Sequence, residues 1–299
     1  MNKKRIRNLL LFTIFTFAIL MSAGILFLAY QSAYGIVHPE RLALNETPDD
    51  YGISSWRDVS FTTDDGLRLD GWLFPPEGNQ GTIIFVHGHR DNRLGFINEA
   101  VMVHEQGYGV LLFDLRNSGT SEGDITTLGY YESQDVITAY DWLMTQPDVD
   151  ADQIVLYGNS MGGVSVAMAL AELTNLRGAV LDSTFTSVED NTRDIVAQIL
   201  PVTTPVTEFI MWVLERETDV NFYDLRPVDV VETADIPILV LHGSNDRLIP
   251  VENGETLFNV ADNPYAFVVF DGAEHGGFYN LDPELYESTL LGFLEAVFE

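Results

Sequence analysis

At 299 residues the chain is long enough for one large α/β domain with a substantial core. It contains no cysteine, which excludes disulfides, iron–sulfur clusters and Cys-ligated zinc. Beyond residue 30, 11 arginines and no lysine face all 45 acidic side chains, a formal charge of −34. That balance excludes nucleic acid as a partner, because phosphate contacts need Lys and Arg.

Lys3, Lys4, Arg5 and Arg7 form a basic stub over residues 1–8. Leu9–Tyr30 follows, 22 residues without a charge. As a helix this run is roughly 33 Å long, enough to cross a hydrocarbon core of about 30 Å. The rival reading is a cleavable signal peptide. Its apolar stretch is normally about 7–15 residues, and no clean small-x-small cleavage site follows this one. The sequence therefore predicts an uncleaved single-pass anchor in the cell membrane. The basic stub keeps the N-terminus cytoplasmic and leaves the remainder outside.

Residues 31–56, with Pro39 and Pro48, read as a tether onto a domain spanning 57–299. "DVSFTT" and "LRLDGWLF" are short strands joined through a "DDG" turn. The chain then alternates between apolar runs and helical patterns. The runs are "GTIIFV", "GVLLFD", "QIVLYG", "GAVLD", "IPILVLHG" and "YAFVVFDG". Helices are expected over 94–106, around "ESQDVITAYDWLMTQ", over "MGGVSVAMALAEL", near 251–260, and from Pro283 to Phe298. Such alternation predicts an α/β fold with a mostly parallel sheet covered on both faces. Residues 185–230 break the rhythm as a small helical cap, two short helices parted near Pro201 and Pro205. An insertion there sits over the carboxyl ends of the strands, where open α/β sheets bind ligands. Its Phe209, Ile210, Trp212 and Val213 either line an acyl pocket or simply pack the cap.

"LYGNSMGGVS", residues 156–165, carries G-x-S-x-G between an apolar strand and a helix rich in small residues. That context makes Ser160 a candidate nucleophile on a tight, strained elbow, with Gly158 and Gly162 placed where a side chain would clash. A serine hydroxyl needs a base, and the base needs a partner to hold its tautomer. Asp246, after "VLHGSN", and His275, after "VVFDGAE", both follow buried strands and so reach the same sheet edge as Ser160. The developing oxyanion needs two donors, assigned to the backbone N–H groups of Met161 and His89.

Other residues compete for these roles. His87 and His242 sit at strand ends and read as packed or hydrogen-bonded. His38 and His104 read as bystanders, and Asp182 is the reserve acid. Arg90 and Arg93 either attract an anionic substrate group or pair, exposed, with the many carboxylates. There is no H-E-x-x-H, calcium-loop or G-x-x-x-x-G-K pattern, so the reading calls for no metal and no cofactor.

In order, "DVSFTTDDGLRLDGWLFPP", "VHGHRDN", "FDLRNSGTSEG", "YGNSMGG", "PILVLHGSNDRLIPV" and "GAEHGGF" resemble the α/β-hydrolase superfamily. The chain is most similar to its bacterial membrane-anchored, serine-aminopeptidase-like and acyl-esterase-like members, over about residues 38–299. The resemblance implies Ser160, Asp246 and His275 as the triad. "RNSG" departs from the family's frequent R-G-H-G, away from the nucleophile. The expected activity is hydrolysis of a small-molecule acyl substrate, a carboxylic ester first. A peptide, amide or thioester bond, or a non-catalytic binding module on the same scaffold, are the alternatives.

Overall fold

The computed structural model describes residues 3–78, 80–201 and 203–299. An antiparallel pair opens the sheet, β1 (Arg57–Thr62) against β2 (Arg68–Phe74), with β2 also antiparallel to β4 (Gly109–Phe113). From there the pairing is parallel through β3 (Thr82–Val86), β5 (Ile154–Asn159), β6 (Gly178–Asp182), β7 (Ile238–Gly243) and β8 (Pro264–Phe270). The order across the sheet is β1-β2-β4-β3-β5-β6-β7-β8.

The five central strands β3 to β7 read as continuous apolar runs because both their faces are covered. Alternate residues serve opposite layers. Ile84, Leu111, Leu156 and Leu181 pack under α3 (Tyr130–Met144), α4 (Met161–Ala169), α7 (Pro227–Val231) and α8 (Glu252–Val260). Phe85, Leu112, Tyr157 and Val180 pack under α2 (Ile97–His104) and α10 (Pro283–Phe298), with the short α9 (Phe278–Leu281) between β8 and α10. The expected helices are all present, that over 94–106 as a 3-10 turn Arg93–Phe96 running into α2.

The cap consists of α5 (Val188–Ala197), α6 (Thr204–Thr218) and a short 3-10 turn, Phe222–Asp224, after which α7 rejoins the layer over the sheet. Its core is shared with an unexpected partner, the N-terminal helix α1 (Lys3–Val37). Here the expected tether needs correction. The helix does not stop at Tyr30 but continues to Val37, and only residues from 38 onward leave it. Ala29, Ala33 and Val37, four residues apart on one face, are buried in a cluster with Ile210, Met211, Val213 and Leu214 of α6. The two small alanines allow close approach of the helices. Leu9 to Gly24 are exposed, and the helix is long and apolar enough to cross a membrane.

The carbonyls that end α1 are also satisfied by the domain, as a buried helix terminus requires. Arg90 Nη2 donates to Gly35 O (2.9 Å), and His89 Nε2 and Thr126 Oγ1 both donate to Ile36 O (2.8 and 2.7 Å). The Thr126 N–H donates to Val37 O (2.8 Å). The segment that follows is held too, by Arg41 donating to the carbonyls of Ser121 and Gly123.

Arg93 differs from its expectation. It is 3 % exposed, and its guanidinium lies over Trp72 and donates to Asp114 Oδ2 at 2.7 Å. Neither substrate anion nor solvent reaches it. Burial pushes the Asp114 carboxyl up, but the hydrogen bond and charge of Arg93 outweigh this and hold it below the ordinary range. An Arg93→Met substitution is expected to strand that carboxylate and cost about 3–5 kcal/mol of stability. The check is a fall in the urea midpoint at unchanged slope.

Candidate active site

Ser160 is the single residue between β5 and α4, with φ 55° and ψ −120°. A non-glycine residue in this region costs on the order of 1–3 kcal/mol, so the surroundings must impose it. They do so from three sides. The Ser160 N–H donates to Asp182 O (2.8 Å), its carbonyl accepts from the Val164 N–H (3.1 Å), and the flanking glycines allow extreme proximity. A Cβ on Gly158 would stand 2.3 Å from Gly162 O, and one on Gly162 would stand 2.1 Å from Val86 O. Neither glycine has positive φ, so the G-x-S-x-G spacing here serves close approach of backbones and not unusual dihedrals.

Asp246 follows β7 in a loop that wraps its carboxylate. Oδ1 accepts the N–H groups of Leu248 (2.9 Å) and Ile249 (2.8 Å), and Oδ2 accepts His275 Nδ1 at 2.7 Å. The side chain of Asp246 is fully buried and that of His275 is 24 % exposed. His275 is thus held through Nδ1, leaving Nε2 as its free ring position. His242 is buried beneath, donating Nε2 to Ile249 O at 2.8 Å, and braces this loop as a packed strand-end residue. His87 is likewise buried, accepting the Leu115 N–H at 3.1 Å.

Ser160 and His275 both line one cavity of about 680 Å³, together with Gly88 and His89 from the turn after β3. That turn passes tightly against the elbow, since a Cβ on Gly88 would lie 3.4 Å from Ser160 Cβ. Met161 opens α4, where first-turn N–H groups have no partner within the helix. The His89 ring is turned away into its bond with Ile36, and burial pushes its pKa down, which keeps it neutral. Arg90 also borders the cavity, its Nη2 committed to Gly35 O. Ile195, Val196 and Ile210 of the cap, beside Thr192, supply an apolar side, and Gln31, Ser32 and Ile36 of α1 supply a more polar one. Of the four cap residues singled out in sequence, Ile210 alone borders the cavity, Val213 is buried, and Trp212 is exposed and stacked on Phe209.

Asp182, the reserve acid, is engaged elsewhere. Its carboxylate accepts from Tyr157 Oη (3.0 Å), Asn159 Nδ2 (3.0 Å) and Ser183 Oγ (2.9 Å), and burial pushes its pKa up. Tyr286 Oη donates to Tyr157 Oη at 2.9 Å, so a buried polar chain underlies the elbow. The sequence carries no signal for this chain, because its members lie up to 129 residues apart and look like ordinary core aromatics. Among the described residues no cluster suited to a metal ion occurs. A second cleft, of about 480 Å³, has its Arg116 already paired with Asp135 and Asp65.

The strand order, the antiparallel second strand and the strand–elbow–helix at Ser160 define an α/β-hydrolase fold. More narrowly, the chain belongs to the prolyl oligopeptidase family, whose profile matches residues 94–299. It is 28% identical to YfhR of Escherichia coli K12 over 284 residues, 90% of this chain and 93% of that protein. It is 32% identical to Rv2307c of Mycobacterium tuberculosis over 237 residues, 79% and 76% of the two chains. Among solved structures, an esterase of Pyrococcus furiosus, Pf2001, superposes in two crystal forms. In one, the TM-score is 0.73 at 22% identity, covering 88% of this chain and 99% of that one. In the other it is 0.71 at 26% identity, covering 87% and 99%. A puromycin-hydrolyzing peptidase of Mycobacterium tuberculosis gives 0.68 at 19% identity, covering 81% of this chain and 39% of that one. Hydrolase chemistry is therefore the family setting of this site.

Proposed function

We propose that the protein is a membrane-anchored serine hydrolase acting on a carboxylic ester, with Ser160 as nucleophile, His275 as general base and Asp246 as its orienting acid. The observation that carries the reading is the 2.7 Å bond from His275 Nδ1 to a buried Asp246, with Ser160 and His275 bordering one cavity. His275 Nε2 takes the Ser160 proton as Oγ bonds to the acyl carbon. The carbonyl electrons move onto oxygen, received by the backbone N–H groups of Met161 and His89. Collapse breaks the acyl–oxygen bond, and the leaving alcohol takes the proton back from His275. One water, deprotonated by His275, then splits the acyl-enzyme into carboxylic acid and free Ser160.

The likeness to a Pyrococcus furiosus esterase at 26% identity supports the ester as substrate. A peptide bond is the second reading. It is favoured by the family profile and by Asp91, a carboxylate on the cavity wall suited to holding a substrate ammonium. The N-terminal helix serves as the anchor in this proposal, with the catalytic domain outside the cell membrane.

A fluorophosphonate probe tests the nucleophile. It is expected to label the wild-type chain, with the adduct mapped by mass spectrometry to Ser160. No labelling counts for a binding module on the same scaffold, and an adduct elsewhere removes Ser160 as the nucleophile. Faster cleavage of p-nitrophenyl acyl esters than of aminoacyl anilides separates esterase from peptidase.

A further inference from the structure

The helix that reads as an anchor is also a wall of the active-site cavity. Gln31, Ser32 and Ile36 border that cavity, and Gln31, Ser32 are the polar pair that follows the strongly apolar run Leu9–Tyr30. Ile36 lies only about 9 Å along the helix from Tyr30, at 1.5 Å per residue. If the run fills a hydrocarbon core of about 30 Å, this wall stands at the level of the lipid headgroups. Ester linkages of bilayer lipids lie at that boundary.

The cap descends to the same level. α1 and α6 pack side by side with their C-terminal ends together, His38 Nε2 standing 3.6 Å from Glu217. Both helices therefore point their N-terminal ends toward the bilayer. Thr204, the start of α6, lies about 20 Å back from Glu217, and the same distance back from His38 along α1 falls near Ile25, within the apolar run. Just ahead of that start, Ile199 is 77 % exposed, and on α6 itself Trp212 is 53 % exposed. Large bare apolar side chains at this height fit an interfacial surface, where Trp is favoured. The headgroup that suits the site is constrained by charge, since 45 acidic residues repel an anionic surface.

We infer that the substrate is an uncharged or zwitterionic acyl-ester lipid drawn directly from the bilayer. Its tail lies between α1 and the apolar side of the cap at Ile195, Val196 and Ile210, and its ester carbonyl reaches Ser160. One water is consumed, and the products are a fatty acid and the deacylated lipid alcohol. The inference rests on the serine-hydrolase reading, and its test keeps the two apart.

The full chain is reconstituted in dioleoylphosphatidylcholine vesicles containing a phosphatidylcholine with a dye-labelled acyl chain, and p-nitrophenyl butyrate is supplied in parallel as the soluble ester. Wild type is expected to release the labelled fatty acid from its own vesicles at least tenfold faster than from protein-free vesicles added outside. An Ile199→Glu/Trp212→Glu variant, changed only at exposed positions, is expected to lose lipid cleavage tenfold or more while keeping its butyrate rate. Cleavage of butyrate by wild type without cleavage of the lipid overturns the lipid assignment and leaves the hydrolase reading standing. Equal rates on own and foreign vesicles, or an unchanged lipid rate in the double variant, also overturn it. Turnover of neither ester overturns both.

Discussion

An Asp246→Asn variant is expected to lose about four orders of magnitude in kcat while keeping the wild-type unfolding free energy to within about 1–2 kcal/mol. The carboxylate has two separate jobs. Oδ1 receives the N–H groups of Leu248 and Ile249 and fixes the loop after β7, while Oδ2 receives His275 Nδ1. An asparagine retains one oxygen, and the two backbone donors hold that oxygen where Oδ1 stood. The amide nitrogen then faces His275 as a donor. The imidazole must present an unprotonated Nδ1 to it, so its proton moves to Nε2, the position that has to accept from Ser160. Geometry survives and the tautomer is wrong. Ser160→Ala and His275→Ala are expected to cost about as much as each other, on the order of 10⁶ in kcat, and the double substitution no more than either. Esterase kinetics on p-nitrophenyl butyrate would check the set. Additive losses in the double variant would show that the two side chains do not act as one unit.

Much of the sheet was legible because its central strands obey a simple rule. A strand covered on both faces must be apolar along its middle, and "IIFV", "VLLF" and "ILVL" are so. The candidate site was legible for a related reason. Strands that run parallel deliver the residues after them to one edge, so Ser160, Asp246 and His275 are gathered although 115 residues separate the first from the last. Where expectation and structure part, the cause is a tertiary partner with no local trace. Arg93 looks like a surface arginine until β4 brings Asp114 beneath it. Residues 31–37 look like a tether because the strongly apolar run ends at Tyr30 and the mixed segment Gln31, Ser32 begins. That segment remains helical, with Gln31 and Ser32 turned to the cavity and Ala33 and Val37 to the cap.

That continuation couples the N-terminal helix to the candidate site. The carbonyls of Gly35 and Ile36 are held by the side chains of Arg90 and His89, on the same turn whose backbone is proposed to receive the oxyanion. Arg90 itself has φ 61°, a left-handed backbone that needs support from outside the turn. A rigid helix end braced against a strained loop supplies it, so the last turns of α1 are packed into the α/β-hydrolase domain.

The second large effect concerns a position with no reacting atom. Gly162→Ala is expected to lower kcat/KM at least a hundredfold and to cost about 3 kcal/mol or more of stability. The new methyl would meet Val86 O at 2.1 Å and His87 O at 2.6 Å, both main-chain atoms at the end of β3. No side-chain rotation relieves this; either the start of α4 or the end of β3 must move. Moving α4 carries Met161 and its N–H with it. Moving β3 carries the Gly88–His89 turn, which already lies 3.4 Å from Ser160 Cβ by the measure of a Cβ built on Gly88. Each escape therefore displaces one proposed oxyanion donor relative to Ser160. Gly163→Ala is the matched control, because its methyl is opposed at 1.9 Å by the Thr184 hydroxyl, a side-chain atom, while the backbone Gly158 O stands at 3.0 Å. Pairing Gly163→Ala with Thr184→Gly is expected to restore stability, whereas no single side-chain truncation restores Gly162→Ala. Thermal unfolding and ester kinetics on the three variants decide the matter, and a Gly162→Ala enzyme with unchanged kcat/KM would show that the elbow tolerates what its backbone contacts forbid.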